Sequence, residues 1–209
     1  MKLIFKIDKE YLINHTLFSL HKKKFSSNKY KKDLLEFQKI AKSYESKNTK
    51  KSLKFNKIIF QTKKYLNFCK KQWKKNYAKS YSIIKEITGL NLNKSFTIYI
   101  THPSLKNGMY LGSNTIGWGH NEDWKNYTTV YLWHEILHAY MPKDKIAHAI
   151  IELTTDEELR IKLNGGRYFS IDCHPELKNI KKKLMPEWKE YLKQKSKNIK
   201  SFYNGVKNE

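Results

Sequence analysis

The stretch VYLWHEILHAYM, residues 130–141, contains the arrangement His-Glu-x-x-His at His134, Glu135 and His138. The apolar and aromatic residues around it predict a buried helix. On a helix, residues four apart lie on one face, so the two imidazoles can bind one metal ion. Glu135 then lies beside the ion, where its carboxylate can accept a proton from water. The segment therefore predicts a zinc site with His134 and His138 as ligands and Glu135 as catalytic base.

A zinc site of this kind needs a third protein ligand. The next predicted helix, KIAHAIIELTTDEELRIKL, should end at the glycines of NGG, residues 164–166. It carries Glu152 among apolar residues, where a buried carboxylate needs a partner. Asp156 lies one turn later on the same face and can accept the free N–H of a liganding histidine. We therefore expect Glu152 to be the third ligand and Asp156 to orient one of the histidines.

Alternatives to Glu152 remain open in the same region. Asp144 follows the motif closely, although it is also well placed to cap the next helix. His148 lies one turn before Glu152. Glu157 and Glu158 are acidic too, although they fit the solvated first turn of a helix after TT.

With HEILH followed by ELTTD, the region around residues 95–175 resembles the gluzincin metallopeptidases, the thermolysin-like group. The resemblance implies two antiparallel helices, zinc bound by His134, His138 and Glu152, Glu135 as general base, and Asp156 orienting His134. It also implies an edge strand just before the motif helix, where a substrate backbone pairs, and SNTIGWGH, residues 113–120, has the right position. The interval between the second histidine and Glu152 is shorter than in thermolysin.

The residue that steadies the oxyanion in gluzincins has no motif in this sequence. His174 and Tyr168, which follow NGG, are the candidates for that role. HEILHAY also resembles the SprT-like, DNA-associated proteases, but the Gly-His-Gly setting of their third ligand is absent. Metzincin-like enzymes have a glycine at the position that Met141 occupies here.

The composition leaves a second class of function open. The net charge of +23 suits a polyanionic partner, so the alternative is a basic nucleic-acid or anionic-surface binding protein with a structural or degenerate zinc site. Arginine, which favours phosphate and base recognition, occurs only at Arg160 and Arg167. Lysine is spread over the whole chain, which indicates a compositional habit and only non-specific nucleic-acid binding.

Other features of the composition predict the compartment. The sequence has no apolar run long enough to predict a membrane span, and its first residues make a poor signal peptide. Cys69 and Cys173 are far apart, which favours a reducing cytoplasm over a disulfide framework.

The pattern along the chain predicts a mainly helical α+β fold. Helices are expected near residues 8–20, over residues 29–46 and from Leu53 to Leu90, with Gly89 as a C-terminal cap. FTIYIT and NTIGWG predict strands. Helices should resume at Pro175 and again at Pro186. We expect a helical region over residues 1–94 and a metallopeptidase-like region over residues 95–209, which can also form one compact domain.

Overall fold

The computed structural model describes residues 1–21, 39, 53–165 and 174–207. Its strands are β1 (Lys2–Lys6), β2 (Ser95–Ile100), β3 (Asn107–Gly112) and β4 (Thr115–Gly119). Its α-helices are α1 (Lys9–His21), α2 (Leu53–Thr88), α3 (Tyr127–Leu137), α4 (Lys145–Glu152), α5 (Arg160–Asn164), α6 (Lys178–Lys193) and α7 (Ile199–Lys207). A mainly helical α+β fold is thereby confirmed. Among the described residues, no helix is long and apolar enough to cross a membrane.

The chain divides into two compact units that interleave in sequence. One unit contains Lys2–Lys71 and Ser95–Asn121, and the other contains Met1, Gln72–Lys94 and Glu122–Glu209. The first holds the sheet, and the second holds the helices that carry the histidine motif.

The sheet has the strand order β1-β2-β4-β3, with β3 antiparallel to β4 and the other pairs parallel. β4 is therefore an inner strand, and the prediction that SNTIGWGH forms a sheet edge is wrong. Residues 116–119 are all buried, as an inner strand with both faces covered requires. A Cβ atom at Gly117 would collide with the Tyr11 hydroxyl, which explains the glycine. The edge strands are β1 and β3, and β3 is the one that pairs with β4.

The helical unit is built around α3, whose apolar residues are buried as predicted. Trp133 is fully buried, lies 5.4 Å from Trp73 between ring centroids, and donates from Nε1 to Ser80 Oγ at 2.8 Å. Trp73 and Ser80 are both buried residues of α2. This packing fixes the helix on which the histidine motif lies.

Several predicted helix ends are confirmed. α2 ends before Gly89, which has a φ of 64°, in the left-handed region that favours glycine. Asp144 caps α4, because its Oδ1 accepts a hydrogen bond from the Ala147 N–H at 2.9 Å. Gly165, with a φ of 67°, ends α5. The helix predicted over residues 29–46 lies, apart from Lys39, outside the described residues.

The predicted helix KIAHAIIELTTDEELRIKL is continuous, because α4 continues through a π-helical turn, Leu153–Leu159, into α5, and TTDEE starts no new helix. One helix start differs from the prediction. Pro186 lies inside α6 instead of beginning a helix. The proline ring fixes φ near its helical value and removes one backbone donor, so a helix held by its packing can contain it.

Candidate metal centre

The two motif histidines lie together at the C-terminal end of α3. His134 is in the last turn of the helix, and His138 follows immediately after it. Their ring centroids are 5.1 Å apart. His134 and Glu135 are buried, whereas His138 is partly exposed, so the pair faces an opening to solvent. The helix therefore places both imidazoles on one side, as the spacing predicts.

His148, on α4, completes a group of three imidazoles. One ring nitrogen from each of His134, His138 and His148 lies within 4.8 Å of the others. The Nε2 atoms of His134 and His148 are 3.2 Å apart. Tetrahedral zinc with bonds of 2.0–2.1 Å separates two nitrogen ligands by about 3.4 Å. The pair His134 and His148 therefore already has nearly the spacing that a bound zinc ion needs.

The electrostatics keep two of these histidines neutral. Burial, followed by the neighbouring histidines, lowers the pKa of His138 to about 3 and that of His148 to about 4. A histidine must be neutral to bind a metal. These two side chains are thus ready to act as ligands at neutral pH.

His134 has the opposite balance. Burial opposes its charge, but the nearby carboxylates, Asp156 above all and then Glu135, outweigh burial and raise its pKa. Without a metal, the 3.2 Å contact between the Nε2 atoms of His134 and His148 needs a proton on one of the two nitrogens. A metal ion would replace that proton.

Asp156 lies where the sequence places it, beside His134. Its Oδ1 is 3.7 Å from His134 Nδ1, and Thr155 Oγ1 lies 3.4 Å from the same nitrogen. Thr155 also donates to Asp156 Oδ1 at 3.1 Å. Both residues belong to the π-helical turn, and such turns are frequent at functional sites. They can fix the ring of His134 with Nε2 facing the cluster.

Glu152 is brought into the cluster, but not into the three-histidine group. Its side chain is fully buried, and its Oε2 lies 2.8 Å from the ammonium Nζ of Lys181. Burial raises the pKa of Glu152, and Lys181 partly offsets that effect. Glu152 instead forms a second group of potential ligands with His148 and His174, whose ligand atoms also lie within 4.8 Å of one another.

Lys181 is the residue that sequence reasoning missed. In α6, the buried residues recur at heptad-like steps, and Lys181 occupies one of those core positions. The stripe consists of Leu177, Lys181, Leu184, Trp188 and Tyr191. A lysine in a core stripe signals a buried negative partner, because an unpaired buried ammonium is costly. In so lysine-rich a segment this signal is easy to overlook.

Of the two candidates for the oxyanion-stabilising residue, His174 lies at the cluster. Its ring centroid is 4.6 Å from that of His148, and its side chain is 41% exposed. Tyr168 lies outside the described residues.

The other candidates for the third ligand lie in neither group. Asp144 accepts a hydrogen bond from the Tyr203 hydroxyl at 2.5 Å in addition to capping α4. Glu157 and Glu158 belong to the π-helical turn, and neither joins either group of potential ligands among the described residues.

Comparison of the chain with protein-family models, with curated proteins and with solved structures found no match. The functional argument therefore depends on the chemistry and geometry of this cluster.

Proposed function

We propose that this chain is a zinc-dependent peptidase in which His134, His138 and His148 hold the ion. The observation that supports the proposal is the grouping of three imidazole nitrogens within 4.8 Å, next to Glu135 on the same helix. Neutral imidazoles suit Zn²⁺, and three protein ligands leave the fourth position open, as in catalytic zinc sites. The choice of a peptide substrate rests on the resemblance of HEILH to the gluzincin motif.

Each residue of the cluster has a separate task in this proposal. A bound Zn²⁺ supplies a Lewis acid that polarises a carbonyl and makes water nucleophilic at neutral pH. The Glu135 carboxylate takes the proton of the attacking water and returns it to the leaving amine. When one ion is bound, His174, half-exposed at the rim, can offer an N–H to the oxyanion of the transition state. Asp156 holds the tautomer of His134.

The general-base role is tested with Glu135→Gln. We expect this variant to bind zinc as the parent does, because Glu135 belongs to neither group of ligands. Hydrolysis of a mixed peptide library, followed by mass spectrometry, should fall by at least about 100-fold, because an amide cannot accept the proton. Glu187→Gln, at an exposed position of α6, is the matched control and should be as active as the parent. Full activity in Glu135→Gln would remove Glu135 as the base.

A further inference from the structure

Beside the three-histidine group lies a second set of potential ligands. His148, Glu152 and His174 each offer one atom, and these atoms lie within 4.8 Å of one another. We propose that this set binds a second divalent cation, so that the centre holds two ions that share His148. The inference rests on the proposed zinc site at His134, His138 and His148, because it places the second ion next to that site.

Glu152 provides the first argument. Its side chain is fully buried, and Oε2 forms an ion pair with the ammonium of Lys181 at 2.8 Å. Neither carboxylate oxygen has a partner with hydrogen-bond geometry among the described residues, and Nε2 of His174 lies 4.0 Å from Oε1. A buried, unpaired carboxylate oxygen is costly, and a cation would remove that cost. Carboxylates that bind metals are commonly held by a hydrogen bond to the other oxygen, which is the position that Lys181 occupies.

His174 provides the second argument. Its Nδ1 lies 3.3 Å from Oε1 of Glu176, and its Nε2 lies 4.0 Å from Oε1 of Glu152. In the tautomer that donates from Nδ1 to Glu176, Nε2 has no proton, and its lone pair is available to a metal ion beside Oε1 of Glu152. A metal-binding histidine typically has this arrangement, with a carboxylate behind it. His134 and Asp156 repeat the arrangement in the first group.

The charges around the cluster permit a second ion. Four carboxylates lie around the cluster, together with the ammonium of Lys181. The carboxylates belong to Glu135, Glu152, Asp156 and Glu176. One dication leaves a small negative charge. The second ion needs the other ring nitrogen of His148, so that ring loses its remaining proton to water and becomes an imidazolate between the two ions, which brings the net charge to about zero. The second ion should therefore bind more weakly than the first, because this deprotonation is costly and the ammonium of Lys181 lies nearby. Two nitrogens and one oxygen suit Zn²⁺.

The test is the number of zinc ions bound per chain. Metal-free protein is dialysed against a series of buffered free Zn²⁺ concentrations, and bound zinc is measured by mass spectrometry. We expect two ions per parent chain, filled at two distinct concentrations, and one ion in His174→Ala. The His174 side chain is 41% exposed, so its removal should leave the fold intact, which circular dichroism checks. His120→Ala is the matched control, because His120 belongs to neither group, and it should bind two ions.

The proposal is overturned if the parent binds a single ion, or if His174→Ala still binds two. Failure of the first site gives a different result. If a His134→Ala, His138→Ala double variant kept the zinc content of the parent, the proposed function would fail whatever the second position does. A parent that binds no zinc contradicts both.

Discussion

The ammonium of Lys181 lies 2.8 Å from Oε2 of Glu152, and both side chains are buried. This ion pair joins α6 to the C-terminal end of α4, directly beside the three-histidine group. It also occupies one oxygen of the carboxylate that the sequence favours as the third zinc ligand. The pair therefore bears on both the stability of the helical unit and the identity of the ligands.

Lys181→Met should destabilise the metal-free protein strongly, because it leaves a buried carboxylate without its partner. The expected loss is about 3–5 kcal/mol in the free energy of unfolding, measured by urea denaturation. Lys182→Met, at the exposed neighbouring position, is the control and should change stability by less than about 0.5 kcal/mol. Adding Glu152→Leu to Lys181→Met should recover much of the loss. A cost no larger than that of the control would show that the pair is not energetically important.

The identity of the third ligand is tested by comparing His148→Ala with Glu152→Gln. We expect His148→Ala to weaken the tighter zinc site by more than about 100-fold, because it removes a ligand and not only an outer partner. Glu152→Gln should leave that site's affinity nearly unchanged, because Glu152 lies outside the three-histidine group. Zinc affinity is measured by competition with a chromophoric chelator. The reverse order of effects would restore Glu152 as the third ligand.

Asp156→Asn should keep the tighter zinc site but weaken it by about 10–100-fold, because Asp156 only orients His134. Asp144→Ala, at the N-cap of α4, provides the contrast. It should cost roughly 1–2 kcal/mol of stability, because Asp144 no longer accepts hydrogen bonds from the Ala147 N–H and the Tyr203 hydroxyl, and it should leave zinc affinity unchanged. Chelator competition and thermal unfolding of both variants separate the two effects. Loss of zinc in Asp144→Ala would point to a different ligand set.

The depressed pKa of His148 makes the stability of the metal-free protein depend on pH. Its ring takes up a proton near pH 6.5 in the unfolded chain but only near pH 4 in the folded chain. As the pH falls from 7 to 5, His148 becomes protonated in the unfolded state but stays neutral in the folded state, so the free energy of unfolding falls. For this one residue the loss is at most about 2 kcal/mol. His148→Gln should lack that part of the pH dependence in urea denaturation at the two pH values, and equal slopes for variant and parent would contradict the assignment.

Local patterns in the sequence predict much of this fold. The long amphipathic stripe predicts α2, the buried motif predicts α3, and Gly89, Asp144 and Gly165 mark helix ends that the structure confirms. β1 and β3 were not predicted, because five or six residues with weak alternation become strands only when a sheet is present to pair with them. The inner position of β4 was not predictable for the same reason, because the order of strands in a sheet depends on pairing between strands that are distant in sequence.

The candidate site was only partly predictable for a similar reason. The spacing within one helix fixes His134, Glu135 and His138, and the step from His134 to Asp156 follows from the resemblance. His148 and Glu152 lie one turn apart on the same face of α4, so which of them reaches the motif depends on the position of α4 along its axis, and packing against other helices decides that position. Lys181 is separated from Glu152 by 29 positions along the chain, so their pairing appears only in the folded structure.

The central claim is that imidazole nitrogens hold a zinc ion at the HEILH helix. Zinc K-edge X-ray absorption of protein loaded with a single equivalent of Zn²⁺ tests it most directly, because that equivalent fills the tighter site. The account predicts three imidazole nitrogens and one oxygen at roughly 2.0–2.1 Å, and one imidazole fewer in His138→Ala. A spectrum with sulfur ligands, or one whose imidazole count is the same in the parent and in His138→Ala, would contradict it.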